Sequence, residues 1–438
     1  MVWSYAEAMR ILCRIENSLM VADGIKSKMD SMDDSSPPSQ DSRIAFCLEI
    51  GRALHSFGTP AHRFEEAMHR LAASLGLDGE FLAHPTAFFA EMRSDTQREV
   101  FIVRAEPGET NLEKLVSIQA LVKEVIQGNL PIEEAAASVR KVVAEAPRFG
   151  RTLVAVSFGL SSAMAARFFG GGWREMALSA LLGLLICLLG FWTSKQHHLA
   201  QVLVLMAATL AGFGGVVAAH LIPHTAAFTI TLAGIVILLP GLKLTVALRE
   251  VATGNLVAGS ARLVDAVMIL MMLAFGVALG RQVAMQFTSA FRESASVPLA
   301  AWTEWAALLV APLSYLVLFQ ARKRDFGWIL LASIVAFLSS RLGAAWLGPE
   351  LGAGLGAMAL GIAANVFGRR TRLPNQIMEL PGLLLLVPGS IGFRGLAFLA
   401  MGETEVGVQT AFRMVFLAVA LVMGLSLANA LVRPRKGL

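Results

Sequence analysis

Residues 196–242 read QHHLAQVLVLMAATLAGFGGVVAAHLIPHTAAFTITLAGIVILLPGL, 47 residues without one Asp, Glu, Lys or Arg. Soluble domains carry about 25% charged residues, so a gap of this length excludes a water-facing element. A helix needs about 20 apolar residues to cross a bilayer, and the run therefore holds two passes. His220, Pro223 and His224 mark the turn between them.

The same texture continues on both sides. Apolar runs near 152–170, 176–194, 199–219, 225–247, 262–280, 302–320, 326–346, 350–368, 376–398 and 411–432 predict ten transmembrane helices. The whole chain of 438 residues is 55% hydrophobic and only 16% charged, with a mean hydropathy of +0.63. The charge is uneven. Residues 1–148 hold 16 Lys+Arg against 22 Asp+Glu, a net of −6, and the remainder holds 21 against 10, a net of +11. The basic residues lie between apolar runs, where they orient a membrane protein rather than form a patch for nucleic acid.

The N-terminal third is a different kind of chain. Residues 1–20 mix Glu7, Arg10, Arg14 and Glu16 into a short amphipathic pattern, with no continuous apolar core of a secretory signal. Residues 26–42 (KSKMDSMDDSSPPSQDS) are polar and low in complexity, so 1–42 is predicted to be a disordered, variable segment. Residues 43–147 predict a small α+β domain. A helix carrying Ile44, Leu48, Ile50 and Leu54 breaks at Gly58-Thr59-Pro60. Thr59 is placed as an N-cap, with Pro60 at the first helical position. That second helix ends near Leu75-Gly76, β-like runs cover 80–92 and 98–105, and Thr110 with Glu113 reads as a capping box. The helix so capped stops at Gly128, and a last one runs from Pro131 to before Pro147.

The membrane part divides into 148–290 and 298–434, and the second piece repeats the first at an offset of 148. Gly234, Pro240, Gly241, Gly254, Gly259 and Gly276 become Gly382, Pro388, Gly389, Gly402, Gly407 and Gly424. Five spans per copy is odd, so the second copy is expected upside down relative to the first. Secondary transporters with inverted repeats hold their site near the midplane between the copies. With the N-terminal domain in the cytoplasm, Arg148, Arg151, Arg322, Lys323, Arg324, Arg369, Arg370, Arg372, Arg433, Arg435 and Lys436 fall inside. Arg167, Arg174, Arg281, Arg292 and Arg341 fall outside with Glu403 and Glu405, a bias that agrees with positive-inside.

The chemistry centres on Leu239-Pro240-Gly241-Leu242-Lys243 and Val387-Pro388-Gly389-Ser390, the latter preceded by Pro381-Gly382. Proline removes a backbone donor and glycine loosens the chain. Irregular backbone at membrane depth survives only against protein or a wet cavity, so each Pro-Gly pair is expected to break a helix at a binding site. A packing kink is the alternative. Ionisable residues cluster nearby: Lys243, Arg249 and Glu250 after the first break, Glu379 and Arg394 around the second, and Arg413 at the last span. Arg262 and Asp265, three apart on one helical face, are expected to pair. Charges at such places cost about 2.5–3.5 kcal/mol or more and so face a cavity or a partner. Glu250, Asp265 and Glu379 are the carboxylates available for proton coupling; the Arg262–Asp265 pair is either a structural ion pair or the two-state element of coupling, and Lys243 and Arg249 read first as anchors at the cytoplasmic end.

Other patterns carry less. Gly352, Gly354 and Gly356 fit close helix packing, and Met268, Met271 and Met272 are apolar filler. His55, His62 and His69 recur every seven residues, but the Gly58-Thr59-Pro60 break separates them, so no metal is expected. Cys13, Cys47 and Cys187 have no metal or redox spacing and read as plain thiols. There is no HExxH, GxSxG or Walker loop, hence no catalytic residue and no cofactor.

Several stretches resemble the threonine/serine exporter family, in the form that fuses a cytoplasmic domain and both membrane halves. They are 57–76 (FGTPAHRFEEAMHRLAASLG), Pro85-Thr86-Ala87, 129–137, 239–265 (LPGLKLTVALREVATGNLVAGSARLVD) and 380–395 (LPGLLLLVPGSIGFRG). The resemblance covers roughly residues 43–432. It implies a multi-pass exporter of small hydroxy amino acids in a bacterial inner (plasma) membrane, driven by the proton-motive force. On the motif match, Pro240, Gly241, Glu250, Gly254, Gly259 and Arg262 are its site positions; Asp265, Glu379, Pro388, Gly389, Arg394 and Arg413 are added from their placement. Split two-chain relatives are associated with export of dicarboxylates such as succinate, which stays open as an alternative, as does a membrane-anchored sensor or assembly protein. The expected partners are a small-molecule substrate, protons and the lipid bilayer, with a homo-oligomer open and no nucleic acid.

Overall fold

The computed structural model describes residues 40–93, 98–105, 110–288, 293–386 and 388–434. The amphipathic pattern of 1–20, most of the polar stretch 26–42, Cys13, Arg292, Val387, Arg435 and Lys436 lie outside the described residues. The described residues form two compact units, one within 40–147 and the other within 148–434.

The N-terminal unit packs two helices against a three-stranded sheet and two more against those helices. Helices α1 (Gln40–Ser56) and α2 (Ala61–Ser74) precede the antiparallel strands β1 (Asp78–His84), β2 (Ala87–Arg93) and β3 (Arg98–Arg104), and α3 (Leu112–Ile126) and α4 (Ile132–Ala144) follow. Alternation along each strand sends Phe81, Ala83, Phe88, Ala90, Met92 and Val103 inward, against Phe46, Ile50, Leu54, Phe64, Met68 and Leu71. Gly51 lets α1 approach this layer, since a Cβ there would lie 2.7 Å from the Phe88 ring.

Three local expectations shift. The run 80–92 is two strands joined by a turn at Pro85-Thr86, because Pro85 cannot continue a ladder. The residue capping α2 is Pro60, without a side-chain bond, while Thr59 is buried just outside it. Asn111, not Thr110, caps α3, its Oδ1 accepting from the Lys114 amide at 2.9 Å; asparagine is among the strongest N-caps.

The second unit is entirely helical among the described residues. In chain order it contains α5 (Arg151–Phe168), α6 (Trp173–Thr193), α7 (His197–Ala200), α8 (Leu203–Leu221), α9 (Ala227–Gly234), α10 (Gly241–Ala252) and α11 (Leu256–Phe287). Then follow α12 (Trp302–Leu318), α13 (Phe326–Leu347), α14 (Pro349–Thr371), α15 (Gln376–Leu386), α16 (Gly389–Ala400) and α17 (Thr404–Leu431). Seven spans are long and apolar enough to cross a membrane, or eight with the bent pair α9–α10, among the described residues. Two of the ten predicted spans fall short of that measure. Helix α5 carries Ser157, Ser161, Ser162 and Arg167, all buried, and α12 is 17 residues long. The two pack on each other, and Arg167 at the end of α5 donates to Thr303 on α12. The buried polar side chains of α5 face neighbouring helices, where a lipid-facing polar group would not be tolerated.

Small residues set the packing. A Cβ on Gly276 of α11 would meet the Leu205 carbonyl of α8 at 2.8 Å. A Cβ on Gly424 of α17, 148 positions on, would collide with the Gly354 carbonyl of α14. Gly259 closes against Ala247 and Val251 of α10, and Gly407 against Leu399 of α16. Gly254 and Gly402 both adopt positive φ, +90° and +85°, at the reversals that lead into α11 and α17; only glycine enters this region without strain. Gly352 packs against Ala344, as its place in a small-residue series suggests.

Candidate functional site

The two Pro-Gly pairs interrupt helices, and they do so unequally. Helix α9 stops at Gly234, a 3-10 turn covers Val236–Leu238 and α10 restarts at Gly241, with a 49° bend at Ile235 between Ala227–Gly234 and Val236–Ala252. Helix α15 stops at Leu386 and α16 restarts at Gly389, yet Gln376–Ala400 still runs as one 25-residue span. The first interruption is longer and has its own tight turn, so it can redirect the chain. Pro381, inside α15, does not end that helix. Pro240 and Pro388 both stand immediately before a helix start, where a missing N–H costs nothing.

The two interruptions meet. A Cβ on Gly389 would lie 3.0 Å from the Gly241 nitrogen, 3.1 Å from its Cα and 3.3 Å from the Leu239 Cβ. A buried ion pair joins the same elements: the Arg249 guanidinium of α10 donates to the Glu379 carboxylate of α15, with both side chains less than a tenth exposed. This pair ties α10 to α15, eight residues after Gly241 and ten before Gly389.

Helix α10 also forms a charged hairpin with α11. Lys243 meets Asp265 at 2.9 Å, and the fully buried Glu250 meets Arg262 at 3.2 Å. The expected Arg262–Asp265 pair is thus not formed. The turn at Gly254 makes α10 and α11 antiparallel, which places Lys243 opposite Asp265 and Glu250 opposite Arg262. A pair three residues apart on one helix contributes only about 0.2–0.5 kcal/mol. Leaving the buried Glu250 carboxylate without a cation would cost far more.

The remaining predicted residues separate into two groups. Gly254 and Gly259 build the hairpin, and Pro240, Gly241, Pro388 and Gly389 build the crossing. Arg394 lies on α16 with its guanidinium 5.2 Å from the centre of the Phe169 ring. Arg413 sits apart, 3.8 Å from Glu350 and mostly exposed. Residues outside the predicted set also matter. The buried Glu175 accepts from the Gly172 and Ala226 amides at 2.9 Å each, joining the starts of α6 and α9. Arg167 reaches Glu304 at 3.5 Å, and Glu304 also holds Arg341 at 2.6 Å. Glu175 could have been found as a carboxylate in the first turn of an apolar helix; the Arg167 cluster left no such local sign. Among the described residues no group of His, Cys, Asp and Glu could hold a metal ion.

Comparison with known proteins places this architecture. Two family models match consecutive parts of the chain, residues 45–284 and 304–431, and both are described as threonine/serine exporter. Curated relatives include an uncharacterized protein of Schizosaccharomyces pombe, 24% identical over 85% of this chain and 46% of its own length. Pheromone-regulated membrane protein 10 of Pichia sorbitophila is 27% identical over 80% of this chain and 36% of its own. The protein of that name from Saccharomyces cerevisiae is also 27% identical, over 80% and 46%. The chain therefore spans less than half the length of these relatives. No solved structure matches it. With both models aligned end to end over the membrane-crossing part and most of the N-terminal unit, the chain belongs to the threonine/serine exporter family of membrane proteins.

Proposed function

We propose that the protein is a secondary transporter that exports small hydroxy amino acids, threonine and serine, by proton antiport. The observation that carries this reading is the crossing of the interrupted helices, where Gly389 abuts Gly241 and Arg249 bridges to Glu379. Broken helices from two halves, meeting inside the membrane, are the usual construction of a transporter site.

In this reading the membrane unit is ten spans in two oppositely oriented halves, α5–α11 and α12–α17, in the inner (plasma) membrane with the N-terminal unit in the cytoplasm. Two observations support it. Equivalent glycines make equivalent contacts at the 148-residue offset, as with Gly276 and Gly424. The ion pairs and side-chain bonds join residues that this topology puts on the same side. Arg167 with Glu304, Arg281 with Glu293 and Arg413 with Glu350 fall outside; Phe149 with Gln320 and Arg369 with Arg433 fall inside. Glu379, released from Arg249 by a proton, is the carboxylate whose charge can differ between two access states. The hydroxy amino acid itself rests on the family.

The test is transport by the purified full-length protein in proteoliposomes under an imposed pH gradient. Labelled threonine and serine should move against protons and collapse with the gradient. Movement of succinate with neither amino acid would replace the substrate, and movement independent of the gradient would remove the antiport.

A further inference from the structure

We propose that Arg394 is the anchor for the carboxylate of the transported solute, an inference that rests on the transporter reading above. The other cations of the neighbouring elements already have acids. Lys243 has Asp265, Arg249 has Glu379, Arg262 has Glu250 and Arg281 has Glu293. Arg394 has none. Among the described residues no carboxylate and no hydrogen-bond acceptor reaches it, and its Nε is buried without a partner. Its one neighbour of note is the Phe169 ring at the end of α5, whose face attracts a cation without neutralising it.

The position suits a ligand. Arg394 is the sixth residue of α16, about 7.5 Å along the axis from the Gly389 crossing at 1.5 Å per residue. Phe393 and Gly392 beside it face the packed interior, where Gly392 abuts Met414 and Leu270. Arg394 instead turns across to Phe169 in the other half. The equivalent place 148 residues earlier is Val246, so the two halves supply one such cation between them. An unpaired guanidinium inside a membrane protein is costly and persists where an anion completes it. A planar guanidinium takes a carboxylate through two parallel N–H···O bonds. The solute's carboxylate fills that place, and Phe169 holds the guanidinium open for it.

The experiment compares full-length wild type with Arg394→Met and Arg394→Lys in nanodiscs. Thermal unfolding is followed with L-threonine, L-threoninamide, succinate and succinamide. Wild type should be stabilised by a carboxylate and not by its amide, because a ligand that binds only the folded state raises the unfolding temperature. Arg394→Met should lose that preference, its affinity for the acid falling at least tenfold to that of the amide. Arg394→Lys should keep part of it. Without ligand, Arg394→Met should unfold no lower than wild type, since it removes an unpaired cation; failure of this variant to fold would mark Arg394 as structural and overturn the proposal. If Arg394→Met keeps preferring threonine to threoninamide, the anchor is wrong while the amino-acid reading stands. If wild type responds to succinate alone and the variant loses it, the anchor stands and the amino-acid substrate falls. A wild type that never distinguishes acid from amide removes both.

Discussion

At the scale of the residue, the sequence showed which charges enter the membrane unit but not whom they meet. Lys243, Arg249, Glu250, Arg262, Asp265 and Glu379 were all visible as ionisable residues near helix breaks. Their pairing depends on the reversal at Gly254 and on α15 coming across to α10, both tertiary facts. The intrahelical Arg262–Asp265 pair was the only pair that spacing alone could suggest, and the fold chose a different one. Arg249→Ala should therefore be severe, leaving Glu379 buried without its cation, at a cost of about 3–5 kcal/mol. Thermal unfolding in detergent measures it, and Arg249→Lys should recover part of the loss. A second expectation concerns Cys47, fully buried on α1 in the N-terminal unit, where burial pushes its thiol up to about 12. Since the thiolate is the reactive form, Cys47 should resist maleimide at pH 8 in the folded protein and react only after denaturation.

Among the elements, helices and their breaks were legible because hydropathy, proline and glycine report them directly. Cap positions slipped by a residue, since Thr110 and Asn111 are both good caps and only the chain path decides between them. The inequality of the two breaks was not legible: Pro240-Gly241 and Pro388-Gly389 look alike in sequence. Only the first has a 3-10 turn ahead of it, and the axis bends by 49° before that turn, at Ile235. Replacing Pro240-Gly241 with Ala-Ala should let α10 continue back into the 3-10 turn and abolish export while leaving insertion intact, as read by transport assay and surface labelling.

For the whole molecule, six matched Gly/Pro positions gave the offset of 148, and the paired contacts of Gly276 and Gly424 or Gly259 and Gly407 give it physical content. The meeting of the two halves at Gly241 and Gly389 was beyond reach of the sequence, because no local pattern encodes which faces of two repeats touch. The proposed opposite orientation of the halves makes a topological prediction. Reporters fused after Lys323 or at the C-terminus should read cytoplasmic, and one in the 403–407 loop should read the opposite side. The most direct measurement joins the two breaks covalently. Leu239→Cys with Gly389→Cys, in a background lacking the native cysteines, would set two Cβ atoms about 3.3 Å apart, near the 3.5–4.5 Å span of a disulfide. If transport works by opening and closing this crossing, oxidation should form the bond readily and stop export in proteoliposomes, and reduction should restore it. A pair that does not cross-link, or a cross-linked protein that exports at the reduced rate or faster, would contradict a transport site built between the two interrupted helices.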